Sequence, residues 1–498
     1  MNKKIFLLLL VLVTVLGQIS SQNHDYIWPF GYDGEDPDSN FETTLLDFNT
    51  FPPVSVPKPF AIDMRGTQTS ICDKNGNLLA MSNGCYIADL YGNFMENGDS
   101  LNPGYYFDEF CDNTGYPAPN AAFFIPSETD TNVYYLYHIA LGGDIYDGRL
   151  LRTTLDFSYN NGLGKVTEKN KLITSGLFDF FGSTKHANGR DWWILTRDET
   201  NFTNNFLRWL VTPKGVIGPE VQSIGPGKTD NGLAGSKCIF SLDGSLFIRP
   251  DRFEGIQIFD FDRCTGLLTN VRVYNEPGLD TVRSINGELS PNGRFLYFNS
   301  AVTVYQLDLW ADTLDNRALE TVAQYDGFNY NGWGTSFFMS QIGPDEKIYI
   351  SCTTIAPYLH VIHEPNKKGT ACNVEQHAIR LAGYHGFSIP YFPNYRLGAL
   401  QGSPCDSLSS LSGISYKNNI NVFPNPANTT LQISFEKDIP AKSSFYLFDV
   451  SGKLVLREKL PAFLEHYSIS LREIPPGIYW FRIVADKEVL KIGKLMVD

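Results

Sequence analysis

The 498-residue sequence predicts an all-β protein, a β-propeller of about seven blades over residues 23–405 followed by a small immunoglobulin-like β-sandwich over residues 419–498. Three observations predict it. Past residue 22 the chain falls into short runs of aromatic and β-branched residues, cut by Asn, Asp, Gly and Pro, with almost no helical periodicity. One strand–turn–strand grammar recurs at intervals of roughly 50 residues, the period of propeller arrays. After Cys405 the texture changes to a Ser-rich stretch, and a second set of strands follows it.

The clearest copies of the repeated unit run from Ser70 to Met81, Ile239 to Phe261, Glu288 to Asp308 and Gly343 to Ile362. Each joins two strands through a polar turn such as Asp73-Lys74-Asn75-Gly76 or Leu242-Asp243-Gly244. Weaker copies surround Thr131-Asn132 and Asn188-Gly189-Arg190. A sheet of this kind cannot cover its own faces, and radial stacking covers them. The runs Thr44 to Phe48 and Phe387 to Leu397 are expected to share a closing sheet, so that no edge is left open.

A formal net charge of -14 argues against a polyanionic partner, so no nucleic acid is expected. With 14% aromatic and 19% charged residues the chain reads as folded, not disordered. Lys3 and Lys4 ahead of the apolar run Ile5 to Leu16, with small or polar residues from Gly17, read as a signal peptide over residues 1–22. That run is shorter than the roughly 20 apolar residues a membrane span needs. No later segment competes with it, so no transmembrane segment is expected after cleavage.

Export makes the eight cysteines candidates for disulfides. Proximity in sequence suggests Cys72 with Cys85, Cys238 with Cys264 and Cys352 with Cys372, leaving Cys111 and Cys405, although eight cysteines allow about 105 connectivities. Neither CxxC nor HxxxH occurs, so no metal site is expected from them.

Residues 406–418 read as a flexible linker, Ser407 to Gly413 being small and polar, and the tail beyond carries strands at Leu431 to Phe435, Ser444 to Asp449, Leu454 to Glu458, Ile478 to Val484 and Lys491 to Val497. Four motifs stand in order along it. They are Asn421 to Ala427, containing Pro424, Asn425 and Pro426; Leu447 to Lys453, containing Asp449 and Gly452; Leu471 to Tyr479, containing Pro476 and Gly477; and Gly493-Lys494-Leu495. In order and spacing they resemble the type A sorting domain of the type IX secretion system of Bacteroidota. That resemblance implies export across the outer membrane, the secretion machinery as partner, and a secreted or surface-attached product. The family often ends in a basic residue, whereas this chain ends Met496-Val497-Asp498. The segments Lys185 to Trp193 and Gly402 to Asp406 are similar to propeller-bearing surface proteins of the same bacteria, which implies architecture and address only.

No G-x-S-x-G elbow and no HExxH is present. Gly225-Pro226-Gly227-Lys228-Thr229 ends like a phosphate loop, but Gln222 stands where the first glycine belongs. His360 and His363 alternate to opposite faces of a predicted strand and cannot share one ion. Asp33, Glu35, Asp36 and Asp38 offer oxygen ligands for calcium but lack the spacing of a calcium loop, so a solvated acidic turn is the leading reading and no cofactor is expected.

The chemically densest stretch is His186 to Trp193. There the leading reading is inter-blade packing with a structural ion pair; in the alternative one Trp of the pair packs between blades and the other reaches solvent, where Trp192, with His186, Arg190 and Asp191, would hold a sugar or peptide. The sequence thus points to an exported binding protein for an extracellular glycan or protein. The alternative is an exported hydrolase or lyase with convergent Asp, Glu, His or Arg side chains in the propeller channel.

Overall fold

The structure, a computed structural model, describes residues 22–31, 41–112, 114–142, 148–176, 180–199, 203–227, 237–251, 254–275, 286–386, 388–405, 420–435, 443–449, 453–461, 466–485 and 488–498. Residues 1–21 of the expected signal peptide, Asp33, Glu35, Asp36, Asp38, Lys228, Thr229, Phe387, the expected linker 406–418 and Gly452 lie outside the described residues. The chain divides into two compact units, Met1–Asp406 and Ser407–Asp498.

Among the described residues the first unit holds seven antiparallel sheets of three or four strands, spanning residues 27–57, 69–89, 122–175, 182–223, 239–274, 286–324 and 337–385. Each is a simple meander whose strands pair in chain order. The opening strands, Ile27–Phe30, Thr69–Cys72, Ala122–Pro126, Gly182–Lys185, Ile239–Phe240, Asn286–Leu289 and Phe337–Ile342, are short and almost wholly buried. Consecutive opening strands touch through most of the series. Phe123 against Phe181, ring centroids 4.8 Å apart, joins the third sheet to the fourth. Trp28 and Phe48 on Tyr349, at 5.5 and 5.3 Å, bring the first sheet back against the seventh. The circuit closes, and this is a propeller.

Closure differs in one respect from the expectation of a shared sheet. Thr44–Asp47 is the central strand of a sheet made entirely by residues 27–57, pairing with Ile27–Phe30 and Val54–Pro57. The N-terminal stretch therefore supplies its own blade and needs no strand from the other end. Residues 388–397 form no strand and enter the ring axis instead.

The cysteine pairing also differs. The disulfides join Cys85 to Cys111 and Cys264 to Cys405, while Cys72, Cys238, Cys352 and Cys372 are buried free thiols. Proximity in sequence fails because the inner cysteines are packed as apolar side chains: Cys238 lies among Phe206, Phe247 and Phe259, and Cys372 beside Ile348 and Ile362. Cys85 instead sits in a turn facing the short helix Tyr105–Phe110, whose C-cap is Cys111. Cys264 lies in an outer turn that the returning chain reaches at Cys405.

The second unit is a sandwich of two sheets. One orders Ile420–Phe423, Thr430–Phe435 and His466–Ser470; the other orders Leu454–Leu460, Ser443–Phe448, Gly477–Ala485 and Glu488–Val497. Leu431, Ile433, Phe445, Leu447, Ile469, Phe481, Ile483 and Leu495 form its core. The strands at 420–423 and 466–470 add to those expected from sequence.

Two histidines are stored neutral inside the ring. His138 Nδ1 donates to Asn102 Oδ1 at 2.6 Å and its Nε2 accepts from Thr153 Oγ1 at 2.9 Å, which uses both ring nitrogens without a charge. Burial pushes its pKa down to about 3, and burial with the neighbouring His377 does the same for His360.

Digests of the unreduced chain should yield peptides linked Cys85–Cys111 and Cys264–Cys405 by mass spectrometry; a Cys238–Cys264 or Cys352–Cys372 link would overturn the assignment. The second bridge closes 141 residues, so replacing both its cysteines by Ser should lower stability by up to about 4 to 5 kcal/mol on chain entropy. The histidines predict a pH dependence. Between the ordinary 6.5 and about 3 the unfolded chain binds more protons, so stability is full above pH 6.5 and falls as pH drops, at up to about 1.4 kcal/mol per pH unit for each. Urea midpoints at pH 7.5, 6.5 and 5.5 test this, and a flat profile would contradict it.

Candidate functional site

The segment singled out in sequence turns between Gly182–Lys185 and Trp192–Arg197, the first two strands of the fourth sheet. Asn188 organises the turn: its Oδ1 accepts from the backbone N–H of Arg190 and Asp191, both at 2.9 Å, and its Nδ2 donates to Asp191 Oδ2. Gly189 holds a positive φ of 71°, and a Cβ there would meet the Ala399 backbone N at 2.4 Å, so only glycine fits. Arg190 forks onto Asp191 at 2.7 and 3.1 Å. His186 accepts from Asn188 N through Nδ1, leaving Nε2 to donate to the Cys264 carbonyl at 3.0 Å, and burial lowers its pKa.

Both tryptophans are buried, at 1% for Trp192 and 6% for Trp193, which agrees with inter-blade packing and corrects the alternative in which one reaches solvent. Alternation does turn them to opposite faces, but each face is covered by a neighbouring sheet. Trp192 joins Phe123, Leu136 and Leu150 toward the third sheet, and Trp193 joins Phe247, Phe259 and Phe261 toward the fifth. The Trp193 indole N–H donates to the Arg263 carbonyl at 2.8 Å. The Arg263 guanidinium in turn donates to the carbonyls of Lys185, His186, Asp243 and Gly398. Of the predicted set only Arg190 is substantially open. The group is a structural corner beside the Cys264–Cys405 bridge.

The axis of the ring is filled by the chain after the seventh sheet. Tyr391, Phe392 and Tyr395 are buried there. Tyr395 Oη donates to the Phe124 carbonyl at 2.8 Å, Tyr391 Oη accepts from Ser183 N at 3.3 Å, Asn394 Nδ2 donates to the Leu242 carbonyl at 2.7 Å, and Arg396 pairs with Asp25 at 2.6 Å. Beside this plug Lys237 spends its three ammonium hydrogens on Glu288, Gln341 and the Ser340 carbonyl. A small, partly open pocket of about 40 Å³ remains beside them. Farther out Arg249 pairs with Glu199 at 2.9 Å and with Asp251, all closed from solvent.

Two further open features lie away from the axis. A cleft of about 310 Å³ lies between the turns at Asp73–Asn75 and Ser127–Val133, lined also by His24 and Tyr134. The other is a hairpin absent from the repeat grammar, Asn329–Tyr330 paired with Trp333–Gly334, between the sixth and seventh sheets. Its turn is Asn331-Gly332 with φ of 51° and 90°, the primed geometry that matches strand twist. Tyr330 and Trp333 are cross-strand partners, and Phe328 shares their face by alternation. Phe328 sits 4.4 Å from the His377 ring and 5.6 Å from Tyr358; Tyr330 sits 5.5 Å from Tyr358 and is capped by the Arg380 guanidinium at 5.9 Å. Asn331 Nδ2 donates to Tyr384 Oη at 3.0 Å and pins the tip. Phe328 and Trp333 nevertheless stay 38% and 47% exposed. Sequence reasoning passed over this hairpin, although the aromatic–Asn alternation around Asn-Gly marks it.

In the second unit the motif residues have structural tasks. Asn425 reaches the last strand twice, donating to the Lys494 carbonyl at 2.8 Å and accepting from Met496 N at 2.9 Å, and Ala427, next to Pro426, exchanges hydrogen bonds with Met496 and Asp498. Pro424 and Pro426 follow cis peptide bonds. Asp449 accepts from Lys453 N at 3.0 Å across its turn, and Tyr479 Oη donates to the Pro475 carbonyl at 2.7 Å, just before Pro476 and Gly477. A Cβ on Gly493 would meet the Phe481 ring at 2.5 Å. Residues 421–498 match the secretion system C-terminal sorting domain.

This sorting domain directs the chain through the type IX secretion system to the cell surface or the extracellular space, so the secretion apparatus is a partner. No curated protein sequence matches the chain. Among solved structures it is similar to a protein from Lactobacillus plantarum at 12% identity, covering 73% of this chain and 98% of that one with a TM-score of 0.43. It is also similar to AztD from Citrobacter koseri at 11% identity, 89% and 98% coverage and a TM-score of 0.30. A gluconolactonase from Xanthomonas campestris aligns at 11% identity, 65% and 92% coverage and a TM-score of 0.30.

The structural reading of the corner is testable. Trp193→Ala should cost about 3 to 5 kcal/mol, as truncation of a buried aromatic does, whereas Arg190→Ala, removing a half-open ion pair, should cost less than about 1 kcal/mol. Denaturant titration of both variants checks the contrast, and equal costs would refute it.

Proposed function

We propose that the protein is an exported glycan-binding protein, in which the propeller carries the ligand site and the sorting domain delivers it outside the cell. The observation that carries this reading is the hairpin at Phe328–Gly334: rings left open to water on a two-residue turn, supported from below by Tyr358, His377 and Tyr384. Exposed aromatic groups held rigid lose little entropy on binding, and their faces suit the C–H face of a pyranose ring. Gln376 is engaged at both ends of its amide by Asp326 and Gln324, whereas Asn329, Asp326 and Arg380 have hydrogen-bonding capacity beyond their bonds to Gly332, Phe328 and Tyr330 with which to meet hydroxyl groups. The chain charge of -14 favours a neutral glycan over an anionic one.

A hydrolase or lyase with its site in the channel has less support. The axis is packed with Tyr391, Phe392 and Tyr395, and Lys237 and Glu288 satisfy each other there. The full-length mature chain should bind immobilised neutral polysaccharides in preference to alginate or heparin. Trp333→Ala should weaken that binding at least about tenfold while leaving the melting temperature unchanged, because the side chain is half exposed. Wild-type affinity in the Trp333→Ala chain, or no neutral polysaccharide bound by the parent, would refute the reading.

A further inference from the structure

The four-stranded sheet of the sorting domain has an inner face that builds the core and an outer face that a small sandwich would ordinarily cover with mixed polar residues. Its outer face is different. Along Gly477–Ala485 the buried Tyr479, Phe481 and Ile483 alternate with Ile478, Trp480 and Arg482, of which Ile478 is 43% and Trp480 44% exposed. The cross-strand partner of Ile478 is Met496, 40% exposed, and Leu454 on the far strand is 45% exposed. Four large apolar side chains thus face water on one sheet.

Between them run cations. Arg482 lies 5.2 Å from the Tyr446 ring and 5.1 Å from Phe448, and Arg457 lies 5.3 Å from the other side of the same ladder at Tyr446. Register places Lys459 opposite Ser444 and Lys494 opposite Trp480, on the same outer face. Among the described positions within the strands of that face there is no acidic residue, the exposed Asp498 lying just past the end of the last strand; Glu458 points inward, where Tyr467 Oη donates to it at 3.0 Å. The acidic chain therefore concentrates four cations and four exposed apolar groups on one surface of its delivery module. The stacked guanidinium groups are held in place before any partner arrives, which lowers the cost of binding.

We propose that this outer face is the surface by which the sorting domain docks on the secretion apparatus, against an acidic protein surface with an apolar centre. The inference rests on the assignment of residues 421–498 as a sorting domain and is independent of the glycan reading. Trp480 and Met496 would fill the apolar centre, and Arg457 and Arg482 would meet carboxylates as flat, pre-oriented forks. The motif residues Asn425 and Asp449, which tie turns and the last strand, are left to hold the fold.

The test is export of the full chain from a host that carries the secretion system, read as the ratio of surface and medium protein to periplasmic protein. Arg457→Glu with Arg482→Glu should lower that ratio at least about tenfold, and Trp480→Ala several-fold, while the purified variants keep the parent's melting temperature. Ser468→Glu with Ser470→Glu, which adds acid to the opposite sheet, should be exported like the parent. Normal export of the double arginine variant, or equal retention of the serine variant, would overturn the proposal. Binding of the parent to vesicles of anionic phospholipid, lost in the arginine variant with export intact, would assign the face to a lipid surface and would equally overturn it.

Discussion

The first unit depends on the burial of three aromatic side chains, Tyr391, Phe392 and Tyr395, on the axis of the ring. Seven small sheets, each apolar on both faces, can cover their flanks with one another, but their opening strands converge on a space that must be filled. A chain segment fills it here. Its polar atoms are satisfied by the ring itself: Tyr395 through Phe124, Tyr391 through Ser183 and Gln68, Asn394 through Leu242, and Arg396 through Asp25. The plug ties together sheets that share no strand, which is why the ring closes without the interlocked strand that the sequence suggested.

The same segment explains the density of polar chemistry at His186–Trp193. Where the plug leaves the axis it passes over the fourth and fifth sheets, and a crossing of three chain segments leaves many carbonyls in need of donors. Arg263 supplies four contacts, His186 one and Trp193 another. Imidazole, guanidinium and indole groups gathered in one turn look like a ligand site in sequence, because the same donors serve both purposes. Burial separates the two cases: those groups are enclosed, and the open rings lie elsewhere, at Phe328 and Trp333.

What could be read from sequence follows the range of the interactions. The blades were legible because their turns are local: Asp73 accepts from Asn75 and Asn77 in its own turn, and Asp243 does the same for Ser245. The sorting motifs were legible for the same reason. The first sheet was half hidden because Val54–Pro57 is a mostly exposed edge strand between prolines, with no alternation to betray it. The disulfides were misread because Cys264 and Cys405 are brought together by the plug, across 141 residues. The aromatic hairpin was missed because two-residue strands are too short to show a period. The basic outer face of the sorting domain is a product of register, visible only when Tyr446 is set between Arg457 and Arg482.

The covalent topology connects the two units' tasks. The plug is held by packing and hydrogen bonds, each worth little alone, and it is followed almost at once by the module on which the export machinery acts. Any pull on residues beyond 406 would peel the plug outward from its C-terminal end if that end were held only by such contacts. Cys405 is bonded instead to Cys264, in the turn between the last two strands of the fifth sheet. A pull on residues beyond 406 would therefore pass through a covalent bond into the fifth sheet, bypassing Tyr395 and Tyr391. Such a bridge persists in an oxidising environment, the kind of environment to which the sorting domain delivers the chain.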